Sequence, residues 1–142
     1  MDKALPVSDI MTTNVISVHP EDTMEKVQDI FRKNEIHHLP VVSDGKVVGI
    51  ISHSDYLKLL NTFTLFKTEK SEQYNDAIMS SMLVKEVMTK QVAKLDMNDT
   101  IEIAAGFFRE NLFHALPVVN GDGDLQGIVT TYDLLNYAFA SD

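Results

Sequence analysis

Apolar positions along the chain follow two rhythms, one helical and one alternating. Met24, Val27, Ile30 and Phe31 recur at helical spacing behind Asp22 and Thr23, either of which can cap the helix, and Asn34 is where it should end. Residues 15–18 form a short β-branched run. Two further β-rich runs, 39–42 and 47–52, are joined by Asp44-Gly45, a dipeptide that accepts the positive φ of a tight hairpin turn, so they should pair antiparallel. A second helix is expected to start at Ser52 or His53 and continue through Tyr56, Leu57, Leu59 and Leu60.

The same pattern then recurs. Residues 7–42 align without a gap on 84–119 at an offset of 77, and the pairing is close in detail. Ser8-Asp9-Ile10-Met11-Thr12 faces Lys85-Glu86-Val87-Met88-Thr89, and His37-His38-Leu39-Pro40-Val41-Val42 faces His114-Ala115-Leu116-Pro117-Val118-Val119. Beyond that point the second copy carries one extra turn residue, and Gly49-Ile50-Ile51-Ser52-His53-Ser54-Asp55 matches Gly127-Ile128-Val129-Thr130-Thr131-Tyr132-Asp133. Its last helix runs through Leu134, Leu135 and Ala138. A single copy of about fifty residues buries too little surface to be secure alone, so the two small sheets are expected to pack against each other. The expected fold is α/β of the α+β kind: two pseudo-symmetric β-α-β-β-α repeats, 7–60 and 84–140, flanking an insert at 61–83. The insert holds a polar stretch at 67–76 and reads as a loop followed by a short helix.

Composition narrows the class. With 142 residues, 44% of them apolar, the chain suits one compact core. Charges and a proline within Met1-Asp2-Lys3-Ala4-Leu5-Pro6 leave no room for an export signal, and no window approaches the roughly 18 apolar residues of a membrane span, so a cytoplasmic location is expected. The chain has no cysteine, which agrees with a reducing compartment and removes disulfides, thiolate catalysis and Cys-rich zinc sites. A net charge of −9 and the lack of a basic run argue against nucleic acid. A single nucleotide needs only a few local donors.

At the paired segments His-x-Leu-Pro-Val-Val and Gly-Ile-x-Ser/Thr-x-x-Asp, the sequence resembles the CBS domain family in its tandem arrangement, the Bateman module. The likeness covers nearly the whole chain outside the insert. It implies a regulatory module that binds an adenosine-containing ligand (AMP, ADP, ATP or S-adenosylmethionine) in clefts between the copies and signals to a partner protein. It further implies homodimerisation and no catalysis, with the adenosyl molecule as regulatory ligand and no required cofactor.

The residues themselves give that implication chemical content. A carboxylate at Asp55 or Asp133 can accept both hydroxyls of a ribose, and the hydroxyl of Ser52 or Thr130 three residues earlier can donate to a phosphate oxygen. A helix starting there would add its free N–H groups and dipole. The same residue types are also common helix caps, and the two roles are compatible. Ser54 and Tyr132 fall in the same phosphate region. By resemblance, His37 and His114 occupy a phosphate-contacting position and His38 stands where Arg is usual. Ala115 departs from that pattern, so the two clefts should be unequal. Thr12, Val15, Ile16 and Pro40, with Thr89, Val92, Ala93 and Pro117, match the adenine region, although short strands must bury such residues in any case. Asn120-Gly121-Asp122-Gly123-Asp124 begins like a calcium loop, but Leu125 and Thr131 stand where Gly and Glu are needed, so it reads as a hairpin turn. Three histidines without a carboxylate partner specify no metal, and no nucleophile, base and orienting acid are suitably spaced. Two rival readings remain. One is a structural interaction module whose clefts are closed by side chains such as Phe113 or Tyr132; the other is a small enzyme or metal switch using the histidines.

Overall fold

The computed structural model describes residues 1–63, 69–110 and 113–140. The chain forms two compact units that do not follow the order of the sequence. The first unit gathers Ile16–Asp44 and Val48–Val92; the second gathers Met1–Val15, Gly45–Val47 and Ala93–Asp142. Each therefore contains the body of one repeat and the Met-Thr segment of the other.

In the first unit, α1 (Met24–Lys33) buries Met24, Val27 and Phe31 along one stripe, as its spacing requires. Thr23 occupies the N-cap position without a side-chain bond, and the Met24 N–H donates instead to the Met82 carbonyl at 2.8 Å. Asp22 holds the preceding turn, accepting from the His19 N–H at 2.8 Å and from Lys26 Nζ at 3.1 Å. The hairpin of β1 (His38–Ser43) and β2 (Lys46–Ser52) turns at Asp44 and Gly45, both at positive φ (53° and 80°). The expected strand at 15–18 contracts to one parallel bridge between Val18 and Val41. The turn explains this, because the Asp22 N–H folds back onto the His19 carbonyl at 2.9 Å and ends extended pairing at once. α2 (His53–Phe63) leaves directly from β2.

The insert contributes α3 (Glu69–Ser81), 13 residues and longer than the short helix expected; positions 64–68 of the expected loop lie outside the described residues. α3 packs on α1 and α2, with Met79 fully buried among Met24, Val27 and Tyr56. A single turn, α4 (Val84–Val87), follows.

The second unit repeats the scheme with a longer first strand. β3 (Leu95–Asp96) pairs parallel with β4 (Ala115–Val119), and β4 pairs antiparallel with β5 (Leu125–Thr130). Leu95 lies opposite Val118, the equivalent of Val18 opposite Val41. α5 (Ile101–Arg109) is capped by Thr100, whose hydroxyl accepts from the Ile103 N–H at 3.2 Å, and α6 (Thr131–Ala138) follows β5. The extra residue is absorbed between β4 and β5, where Asn120 Oδ1 accepts from the N–H groups of Asp122 and Asp124, both at 3.0 Å. Val7, Leu95, Ala104, Leu116, Val118 and Val129 form the core.

In both units the Met-Thr segment lies across the glycine of the second hairpin strand. Thr12 and Ile128 exchange backbone hydrogen bonds at 2.9 Å each, as Thr89 and Ile50 do at 3.0 and 3.1 Å. A Cβ on Gly127 would stand 2.6 Å from Met11 Sδ and 2.8 Å from the Thr12 carbonyl oxygen; on Gly49 it would stand 2.5 Å from Met88 Sδ and 3.0 Å from the Thr89 carbonyl oxygen. Glycine is required here by this close approach and not by an unusual φ.

Gly127→Ala should therefore destabilise the protein by about 1–3 kcal/mol in urea unfolding, and by more than Gly49→Ala, because its Cβ meets a hydrogen-bonded carbonyl oxygen at 2.8 Å instead of 3.0 Å, and a carbonyl cannot retreat as a thioether can. Truncating Met88 to Ala should recover part of the Gly49→Ala loss. For Asp22, burial opposes ionisation, but the His19 N–H and the Lys26 ammonium outweigh it and hold the carboxyl below its ordinary range. A lowered folded-state pKa gives stability that is complete above the ordinary aspartate range and lost as pH falls through the folded value. Asp22→Asn should thus be less stable than the parent at neutral pH, with the difference in urea midpoint closing in acid.

Candidate functional site

The first turn of α6 is built by Thr130 and Asp133. The Thr130 hydroxyl accepts from the Asp133 N–H at 3.2 Å, while Asp133 Oδ2 accepts from the Thr130 N–H at 2.9 Å and from its hydroxyl at 3.1 Å. This is a reciprocal capping box, so the capping role is real. It consumes one carboxylate oxygen. Asp133 Oδ1 faces the other way and accepts from Thr12 Oγ1 at 3.3 Å, which joins the Met-Thr segment to the helix start. The Thr131 N–H donates to the His114 carbonyl at 3.2 Å, fixing His114 beside the same turn. Thr12, His114, Thr130 and Asp133 are thereby brought together within the second unit. Tyr132 is 69% exposed and closes nothing, while Phe113 stacks edge-on against Phe107 at 6.0 Å.

The first unit repeats this arrangement with different side chains. The Asp55 N–H donates to Ser52 Oγ at 3.0 Å, and the Ser52 N–H donates to Asp55 Oδ2 at 3.2 Å. The hydroxyls of Ser52 and Ser54 lie 3.2 Å apart. The His53 N–H donates to the His37 carbonyl at 2.7 Å, the counterpart of the Thr131 to His114 bond. Thr89 reaches this strand through its backbone pairing with Ile50. His38 is half-buried at the start of β1.

The residues expected to line the adenine region divide between the units. Thr12, Val15, Ala93 and Pro117 belong to the second; Ile16, Pro40, Thr89 and Val92 belong to the first. Pro40 and Pro117 are buried in their strands, whereas Thr12, Ile16 and Thr89 are exposed.

One residue at this end of the first unit was not singled out by sequence reasoning. The His53 ring lies edge-on to Phe31 at 5.1 Å and to His37 at 5.8 Å, with Tyr56 at 6.0 Å. Its repeat counterpart is Thr131. A histidine inside an otherwise duplicated Ser/Thr-x-x-Asp segment was the available signal.

The sequence model of the CBS domain matches the chain twice, over residues 7–62 and 84–140. The chain belongs to the CBS domain family. A CBS pair is also what its fold matches among solved structures. CBSX2 from Arabidopsis thaliana, solved in complex with AMP, superposes with a TM-score of 0.76 at 27% identity, covering 94% of this chain and 96% of that one. The CBS domain pair of protein MJ0100, solved with 5'-methylthioadenosine and S-adenosyl-L-methionine, gives 0.74 at 25% identity, with 94% of each chain covered. The protein MJ1225 of Methanocaldococcus jannaschii is 29% identical over 137 residues, and its structure matches with a TM-score of 0.80. These 137 residues are 96% of this chain and 48% of MJ1225, so the chain spans about half the length of that relative. The CBS pair here is thus a mixed α+β protein of two related repeats. Among the described residues, no helix is long and apolar enough to cross a membrane.

The caps set a baseline for any mutational test of this region. Thr130→Ala should cost about 1 kcal/mol of stability without any ligand, and Thr12→Val, which loses only an exposed hydroxyl bond, clearly less. Thermal unfolding of the two variants should separate them in that order.

Proposed function

We propose that this CBS pair is a regulatory module that binds an adenosyl ligand and reports its occupancy to a partner protein, with repeats over 7–60 and 84–140. The observation that carries the reading is the doubled constellation at the helix starts: a Ser or Thr hydroxyl and an Asp carboxylate, capped together, beside a His and under a Met-Thr segment. Asp133 Oδ1, which accepts from an exposed threonine hydroxyl, is an acceptor that a ribose hydroxyl can take over at little cost. Asp55 has the same place in the first unit. In this reading Asp55 and Asp133 bind ribose. Ser52, Ser54, His37 and His38 face phosphate in one set, with Thr130, Tyr132 and His114 in the other. Thr12, Val15, Ile16, Pro40, Thr89, Val92, Ala93 and Pro117 supply the base contacts. The adenosyl ligands of CBSX2 and MJ0100 support this chemistry. The role is regulatory and not catalytic, and self-association is part of the reading.

The two sets differ, since His37, His38 and His53 stand where the other has His114, Ala115 and Thr131. The histidine-richer set should prefer the more highly phosphorylated ligand.

A thermal-shift screen with AMP, ADP, ATP, S-adenosylmethionine, NADH and cyclic dinucleotides tests the proposal. A ligand at a hundred times its Kd should add about 2.7 kcal/mol of stability. Asp55→Ala and Asp133→Ala should each remove one binding event in calorimetry. No response to any adenosyl compound, or full binding by the double variant, would defeat the reading.

A further inference from the structure

At the start of α2 the candidate site of the first unit meets its interior. His37 is exposed and its ring lies edge-on to that of the half-buried His53 at 5.8 Å, while the His53 N–H donates to the His37 carbonyl at 2.7 Å. His53 in turn lies edge-on to Phe31 at 5.1 Å and tilted against Tyr56 at 6.0 Å, and the rings of Phe31 and Tyr56 are 5.8 Å apart. Phe31 and Tyr56 are both buried. The Tyr56 hydroxyl accepts from the buried Gln28 amide at 2.6 Å, which ties α2 to α1. Four rings and one amide thus run from the candidate phosphate position to the floor on which α3 rests.

α3 packs on α1 and α2, with Met79 fully buried in the core that also holds Phe31 and Tyr56. One turn earlier on the same side stands Asn75, whose Oδ1 is buried and has no hydrogen-bond partner among the described residues. Gln73, Asp76, Ala77 and Ser80 are exposed. An inner face with an unpaired oxygen beside its anchor is held less firmly than apolar packing alone would hold it. α3 therefore covers the ring stack and also presents a surface that a partner would meet.

The second unit supplies an internal comparison. The repeat alignment sets Thr131 opposite His53, Leu134 opposite Tyr56 and Ala105 opposite Gln28. The ring beside His37 and the tyrosine–glutamine bond have no counterpart in those three side chains.

We propose that α3 is the element through which the first unit reports a bound ligand: a phosphate group at His37 draws that ring away from His53, and the displacement passes through Tyr56 to α3, which loosens. Rings in close packing cannot move singly, and the ligand shifts α3 only as far as it binds the loosened arrangement better. His53 touches no ligand and acts as a positioning residue. This inference rests on the adenosyl reading and adds to it that the two ligand sets differ in output, since the ring route exists in one of them.

Hydrogen exchange of residues 69–81 in the full chain, with and without AMP or ATP, tests the coupling, and calorimetry on the same samples reports binding separately. In the parent, ligand should speed exchange in α3 by about threefold or more. Asp55→Ala should abolish that response and Asp133→Ala should leave it. His53→Thr, the residue of the second copy, should speed exchange in the ligand-free chain and remove the response while both binding events remain, whereas His53→Phe, which keeps a ring there, should restore both. A merely structural role for His53 would raise the ligand-free rate and leave the response, and that result overturns the proposal. So does an unresponsive α3 in a parent chain that binds ligand. If calorimetry detects no AMP or ATP, the adenosyl reading falls and the ligand-free arm decides the coupling: equal α3 exchange in the parent and His53→Thr overturns it, and faster exchange reversed by His53→Phe upholds it.

Discussion

The close approach of one backbone segment to another at Gly49 and Gly127 is the constraint on which both units depend. Only a residue without a Cβ lets the Met-Thr segment lie against the second hairpin strand, with the methionine thioether over the glycine and the threonine paired to the next residue. That pairing fixes where Thr12 and Thr89 stand. In the second unit it also brings a hydroxyl to Asp133, so the packing constraint and the candidate chemistry meet at Thr12. The helix starts are rigid for a related reason. Each is tied down by its own capping residues and by a backbone bond to the histidine that precedes β1 or β4.

Much of the local structure could be read from the sequence because local rules govern it. α1 follows from apolar residues spaced for one face, and the β1–β2 turn follows from Asp44-Gly45, which accept positive φ. The strand expected at 15–18 did not extend, because the His19 to Asp22 turn stops it, a competition that hydrophobic pattern alone cannot rank. The length of α3 was understated, since its polar residues hide the buried anchor at Met79. The segment exchange was not legible at all. An internal alignment shows which residues are equivalent, but not which copy each one serves. For the candidate site, the Ser/Thr and Asp positions were visible from their doubled spacing, whereas the ring cluster around His53 depends on Phe31 and His37 arriving from distant parts of the chain.

Duplication usually invites the assumption of equal halves, and the energetics here argue otherwise. One unit buries a glutamine and a tyrosine, which is affordable because they bond to each other, and covers them with a helix. The other has an alanine and a leucine in their places. Similarly, the histidines are concentrated at one helix start. The framework is kept by backbone geometry, while side chains differ between the copies both beneath α3 and at the helix starts.

The exchange of Met-Thr segments also has a consequence for the history of such a fold. A lone repeat carries both a segment to be seated and a strand that seats one, but the arrangement places the two in different copies. A single-repeat ancestor could satisfy both only by trading segments with a second molecule, as swapped dimers do. Fusion of the two genes would then have turned an encounter between chains into a fixed intramolecular contact. On this view one repeat does not complete the fold by itself, and the pair is the smallest unit in which each Met-Thr segment has a strand to seat it.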